Sequence, residues 1–227
     1  MSPYISVVIR LYNGIEYLNE SVDSVIQQDY NDWELIVGVN GHGPDGNTVH
    51  REAEAVVGAK GDSRLRVVNF PEVKGGAMAL NALASAAKAD WVAILDVDDK
   101  WHASKLSHQV LWMEGLQQVP DVIGTHCQYI GEMSGGPSLP SWYIDKSIFR
   151  EFNPMINSSV IVRKSLVDFT DQFYGLDDYD LWCRLSIQDH VFFNVPEVLT
   201  YHRIRRDSQY NWSKKQDPDA LRKHYYN

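Results

Sequence analysis

This sequence predicts a layered α/β fold, in which a mostly parallel central sheet carries helices on both faces, and three observations lead there. Short β-branched runs alternate with amphipathic segments through the first hundred residues, in the order βαβαβαβ. These runs are apolar at almost every position, as strands buried on both faces must be. The chain has 227 residues, 44% of them apolar and 22% charged, which suits one large or two small globular domains and excludes a disordered or fibrous chain.

Each element follows from local pattern. Ile5-Ser6-Val7-Val8-Ile9 is the first strand. Asn13 and Glu16 have the spacing of a capping box, so a helix is expected to begin there, its stripe formed by Ile15, Leu18, Val22, Val25 and Ile26. The polar cluster from Asp29 to Asp32 ends it. There follow a strand from Glu34 to Val39, a helix from Thr48 to Val57, a strand from Leu65 to Asn69, a helix from Gly76 to Ala87 and a strand from Trp91 to Leu95. Leu106, Val110, Met113 and Leu116 keep helical spacing, and Val122 to Ile130 reads as a strand ahead of a Gly/Pro/Ser loop from Gly131 to Pro140. A strand from Ser158 to Val162, a helix from Asp178 to about Gln188 and a short strand from Val191 to Val195 precede an irregular, polar tail.

Charge and cysteine content narrow the function classes. Twenty-one Lys and Arg against thirty Asp and Glu give a net charge of −9, which opposes general nucleic-acid binding. The charge is uneven: residues 201–227 hold seven basic and three acidic side chains, a net of +4, so residues 1–200 carry −13. Cys127 and Cys183 are too few for a disulfide framework and no Cys/His spacing suggests zinc. Without a leader-like start or a long apolar window, the sequence reads as a cytoplasmic protein.

In sheets of this kind ligands bind beyond the carboxyl ends of the strands. The segments there are Arg10-Leu11-Tyr12-Asn13, Asn40-Gly41-His42, Phe70 to Gly75 and Asp96-Val97-Asp98-Asp99. Three carboxylates on one turn repel each other unless a cation or donor groups neutralise them, and Mg²⁺ or Mn²⁺ shared with phosphate oxygens is a common solution. The bland reading is an acidic turn in which Asp99 caps the next helix. Gly41-x-Gly43-x-x-Gly46 matches the dinucleotide fingerprint in letters only: it contains Pro44, follows the second strand and opens no helix at its last glycine. No Gly-Lys-Ser/Thr follows a strand, which excludes a P-loop. Asp177, Asp178 and Asp180 fall at a helix start, where acids complement the helix dipole and where a carboxylate is also well placed as a general base.

Taken in order, several stretches resemble glycosyltransferase family 2, the inverting nucleotide-sugar enzymes with the Rossmann-like GT-A fold. They are Ile5 to Asn13, Ser21 to Tyr30, Trp33 to Val37, Asn81, Leu95 to Trp101 with Lys105-Leu106, and Leu176 to Leu185. The resemblance spans most of the chain. It implies a single GT-A domain over 1–227, with a nucleotide-binding half (1–100), an acceptor-binding half (101–200) and a basic C-terminal tail (201–227).

Residue roles implied by the resemblance are as follows. Arg10, Tyr12, Asn40, Lys74, Asp96, Asp98 and Arg205 bind the nucleotide, with Tyr12 on the base. Asn40 stands where the family usually has Asp. Asp98 and Asp99 hold Mn²⁺ or Mg²⁺. Asp178 is the general base, while Asp177, Trp101 and Trp182 meet the acceptor. Tyr201 to Ser208 resembles a segment that often reads Tyr-Arg-x-His-x-x-Ser, with Arg205 at the His position. Arg cannot ligate a metal, but its fork suits a diphosphate. The implied partners are a nucleotide sugar, probed first as a UDP-sugar, and a glycan or lipid-linked acceptor, with the basic tail as a point of peripheral membrane contact. Two rival readings are a non-catalytic nucleotide-sugar or glycan-binding module, suggested by the departures at Asn40, Asp177 and Arg205, and a sugar nucleotidylyltransferase, which needs a glycine-rich loop after the first strand that Gly14 alone does not supply.

Overall fold

A computed structural model describes residues 4–43, 48–205 and 216–226. The first half follows the expected alternation: β1 (Ile5–Leu11), α1 (Ile15–Ile26), β2 (Trp33–Asn40), α2 (Thr48–Gly58), β3 (Leu65–Phe70), α3 (Gly76–Ala86) and β4 (Trp91–Ile94). Then come β5 (Lys100–Trp101), α4 (Lys105–Gly115), β6 (Val122–Gly131), β7 (Trp142–Tyr143), β8 (Ile161–Arg163), α5 (Asp177–Ile187), β9 (Phe192–Ile204) and α6 (Pro218–Tyr226).

All nine strands join one sheet in the order β3-β2-β1-β4-β8-β6-β9-β5, with β7 also on β9. Strands β1 to β4 are mutually parallel. Strand β8 opposes β4 and β6, so β6 and its parallel neighbour β9 point the same way as β1. Alternating residues feed two apolar layers. Ile5, Val7, Ile9 and Leu11 pack with α1, α2 and α4, whereas Val8 packs with α3, α5 and α6. This is the α/β architecture expected, with helices on both faces.

Four local expectations differ from the structure. Asn13 does not cap α1. The N-cap is Gly14 at φ 92°, with no side-chain capping bond. Such a backbone favours glycine, and a Cβ there would stand 3.0 Å from Val97 Cγ1. The strand expected from Ser158 begins only at Ile161, because 157–159 form a 3₁₀ turn. The short final strand is instead thirteen residues long, paired with β6 through irregular register near Thr125 to Cys127. Pro196 and Glu197 break the apolar run there, but pairing is a backbone property and continues past them. The tail is not wholly irregular either: α6 buries Leu221 against the α3/α5 layer. Arg206, Lys214 and Lys215 of the basic tail lie outside the described residues. Among those described, no helix is long and apolar enough to cross a membrane.

Candidate active site

The carboxyl ends of β1, β2, β4 and β9 and the N-termini of α3 and α5 gather at one end of the sheet. Because β9 is parallel to β1, its extra length delivers His202, Arg203 and Arg205 to the residues that follow β1 and β4. Two cavities result. A cleft of about 640 Å³ is lined by Arg10, Tyr12, Asn40, Lys74, Asp96 and Asp98 together with Arg203 and Arg205. The adjoining chamber, about 420 Å³, holds Asp177 and Asp178 opposite Asn153, Asn157 and Ser158, with Leu139, Phe152 and Met155 among its apolar wall. Arg10, Asp96 and His202 line both.

At that junction, Arg10 lies 3.2 Å from Asp96 and 3.7 Å from Asp177. Asp96 also accepts from Ser158 Oγ and Asn157 Nδ2, each at 3.2 Å. Its orientation is therefore fixed from three sides.

In the cleft, Tyr12 is 53% exposed, and one ring face stacks on His42 at 4.8 Å between centroids. Asn40 is buried, and its Nδ2 donates to Val73 O at 3.2 Å, which leaves Oδ1 as the atom to offer an imide N–H. Lys74 and the N-terminus of α3 at Gly75 and Gly76 border the same space, a favourable setting for anions. Asp98 pairs with Arg205 at 3.3 Å. Burial first, then the Asp99 and Asp96 carboxylates, raise the Asp98 carboxyl against the pull of Arg205.

Asp99 does not face the cleft. It is 1% exposed, and its two oxygens accept from His202 Nδ1 at 2.9 Å and from the Arg203 backbone N–H at 2.7 Å. Burial works against the His202 imidazolium, but the Asp99 carboxylate and its hydrogen bond, with Asp96 and Asp98 beyond, hold it at about 9. Asp99 thus orients β9 instead of presenting an open ligand. Among the described residues no three His, Cys, Asp or Glu side chains converge as a metal cage. The site fits a divalent ion that takes one protein carboxylate, Asp98, and the rest of its oxygens from a diphosphate and water, as Mg²⁺ commonly does with nucleotides.

In the chamber, Asp178 accepts from Asn153 Nδ2 at 3.0 Å and from the Tyr179 backbone N–H at 2.8 Å. Burial pushes its carboxyl up to about 6; these two donors resist the shift while the Asp177 and Asp96 charges add to it. Burial likewise raises Asp177, against Arg10. A carboxylate with a raised pKa beside an open polar space is what general-base chemistry near neutrality requires.

Trp101 and Trp182 do not line the chamber. Trp101 is buried and donates its indole N–H to Ser158 O at 2.7 Å, with Lys105 Nζ 3.9 Å from the ring centroid, so it supports the Ser158 that holds Asp96. Trp182 is 0% exposed, between Phe169 and Phe192. Sequence reasoning found no role for Asn153, Asn157, Ser158, His42, His202 or Arg203. For the first three the signal was a set of polar residues, Asn153 and Asn157 to Ser159, interrupting an apolar stretch that ends in a strand, whereas the others fall within the strand-end and tail segments already singled out.

The chain has relatives among known proteins. The E. coli protein named UDP-Glc:alpha-D-GlcNAc-diphosphoundecaprenol beta-1,3-glucosyltransferase WfaP is 24% identical over 90% of this chain and 78% of its own length. Among solved structures, S. aureus TarS in complex with UDP-GlcNAc superposes with a TM-score of 0.71 at 16% identity, covering 92% of this chain and 60% of that one. The mannosyltransferase PcManGT from Pyrobaculum calidifontis, in complex with GDP-Man and Mn²⁺, gives 0.69 at 16% identity, over 92% and 59%. The chain therefore spans about three fifths of these two solved chains, and at such identities the likeness concerns the fold. Membership rests on sequence: the family model described as Glycosyl transferase family 2 matches residues 6–166, well over half of the chain, and this protein belongs to that family of glycosyltransferases.

Proposed function

We propose that this chain moves a sugar from a nucleoside-diphosphate donor, a UDP-sugar in the first instance, to a hydroxyl of a glycan or lipid-linked saccharide, with inversion at the anomeric carbon. The observation that carries this reading is the placement of Asp178 in a chamber that meets the nucleotide-sized cleft at Arg10 and Asp96. The donor lies with its base on Tyr12, an imide N–H on Asn40 Oδ1, and its diphosphate among Lys74, Arg203 and Arg205. WfaP, whose name carries UDP-Glc and a diphosphoundecaprenol-linked sugar, favours uracil as the base and a lipid-linked acceptor. The working place would be the cytoplasm, at the inner face of a membrane if the acceptor is lipid-linked.

Asp178 takes the proton of the acceptor hydroxyl as its oxygen bonds to the anomeric carbon, and the bond to the diphosphate breaks on the opposite side. No enzyme nucleophile is required. Asn153 and the Tyr179 N–H fix both carboxylate oxygens, so the base is aimed before the acceptor arrives. Charge develops on the departing diphosphate, and Lys74, Arg203 and Arg205 stabilise it there, which is often the largest catalytic contribution. Asp98 is the residue that would hold a Mn²⁺ or Mg²⁺ ion there, and such an ion would supply further neutralisation of that charge.

Donor binding is tested with nucleoside diphosphates and nucleotide sugars, with and without Mn²⁺. A ligand at about 100 times its Kd stabilises by about 2.7 kcal/mol, which in a chain of this size raises Tm by roughly 5–10 °C. A panel in which no nucleotide moves Tm would sink the donor reading. The base has its own signature: with Asp178 near 6 in the ligand-free chain, kcat/KM falls about tenfold per pH unit below that value as the carboxylate is protonated, and levels off above it. A profile flat between pH 5 and 8 would remove Asp178 from the role.

A further inference from the structure

Four Arg and Lys side chains border the donor cleft, Arg10, Lys74, Arg203 and Arg205, and one of them already sits on the carboxylate that a divalent ion needs. Arg205 Nε is 3.3 Å from Asp98 Oδ2. The guanidinium is also 5.0 Å from the centre of the Tyr17 ring and 4.0 Å from Glu16, so α1 supports it in that position. Its neighbour Arg203 lies 4.9 Å from the same ring and is anchored by Glu20 and by Asp98 O.

Among the described residues the neighbouring carboxylates are already engaged, Glu16 at the cleft edge by the same guanidinium at 4.0 Å. Asp99 is committed to His202 and the Arg203 N–H, and Asp96 to Arg10, Asn157 and Ser158. A divalent ion arriving alone must therefore share Asp98 with a fixed positive charge. A nucleoside diphosphate changes both sides of this balance. Its oxygens complete the coordination of the ion, and they offer Arg205 a planar, bidentate anionic partner in exchange for Asp98.

We propose that Arg205 is the resident counter-cation of Asp98 and transfers to the donor diphosphate on binding, so that the metal loads tightly only together with the nucleotide. This rests on the donor-site reading above. Arg205 then has two effects of opposite sign. It suppresses binding of the bare ion and supports binding of the nucleotide without the ion. A histidine at this place would have no such double action, because a neutral imidazole ligates a metal instead of repelling it.

Free Mn²⁺ is measured by electron paramagnetic resonance in titrations of the full chain with and without UDP, while UDP affinity in EDTA is measured by calorimetry. For Arg205→Gln the expected results are Mn²⁺ binding without nucleotide at least about tenfold tighter than in the native chain, and UDP binding in EDTA about tenfold weaker, each close to 1.4 kcal/mol. Arg205→Lys, which keeps the charge, retains weak Mn²⁺ binding, and Asp98→Asn abolishes the tightening when combined with Arg205→Gln. Circular dichroism of each variant identifies any loss of fold, and the Lys variant keeps the comparison available if Gln proves unstable. Equal Mn²⁺ affinity in the native and Gln chains overturns the proposal and leaves donor binding intact. Mn²⁺ tightening with no UDP response in any variant overturns the donor reading instead, and with it the transfer of Arg205 to a diphosphate.

Discussion

Asp178→Asn is expected to lower the rate of sugar transfer by about 10²–10⁴-fold, the usual range for loss of a general base, while the affinity for nucleotide stays within a factor of about two. The separation arises because Asp178 borders the acceptor chamber and not the nucleotide cleft. Asn has the same shape, and its carbonyl can still accept the Tyr179 N–H that Asp178 holds at 2.8 Å. What it lacks is the ability to take a proton and, at the place of Oδ2, an acceptor for Asn153 Nδ2. The substitution should not weaken the fold at neutral pH. Burial holds the Asp178 carboxyl at about 6, above its unfolded value, so the native chain loses stability as the pH rises from that unfolded value to about 6 and carries the full cost above it, a cost the Asn variant does not have. The check is a pair of measurements on one preparation, single-turnover transfer and nucleotide calorimetry. Transfer near the native rate would exclude Asp178 as the base, and a parallel loss of nucleotide binding would show that the residue supports the cleft.

Trp182→Ala is expected to cost about 3–5 kcal/mol of stability, the range for truncating a large buried aromatic, and to lower Tm by roughly 10 °C in a chain of this length. Trp182 is fully buried, with Phe169 and Phe192 each 6.2 Å away between ring centres. Its removal leaves a void in the layer formed by α3, α5 and α6 against the sheet. Trp182→Phe should be much milder. The indole Nε1 has no hydrogen-bond partner among the described residues, so Phe forfeits packing but no bond. Thermal denaturation of both variants decides between the core and the acceptor site. A raised acceptor KM at unchanged Tm in the Ala variant would return Trp182 to the chamber.

The first hundred residues were the most readable part of the chain, because a parallel strand buried on both faces must be apolar and its crossover helix must be amphipathic. The turn residues Arg10, Tyr12, Asn40, Lys74, Asp96 and Asp98 could be picked out for the same reason: polar side chains immediately after buried strands have to serve the end of the sheet. All six line the cleft. The two tryptophans were misplaced because an aromatic residue beside a charged motif has the same letter whether it faces a ligand or the core. Only packing distinguishes them.

By itself, then, the sequence determined the α/β layering, the family and the inventory of polar residues at the strand ends, since periodicity and motif order are properties of neighbours along the chain. The tertiary structure alone decided how the carboxylates are used. Asp96, Asp98 and Asp99 lie within four residues, yet one is clamped by Arg10, Asn157 and Ser158, one holds Arg205, and one orients His202. Their partners come from β1, from the turn before β8 and from the end of β9, as much as 107 positions away in sequence. The charge and protonation of an acid follow from what surrounds it in space, and only the folded sheet, by setting β9 parallel to β1, brings those surroundings together.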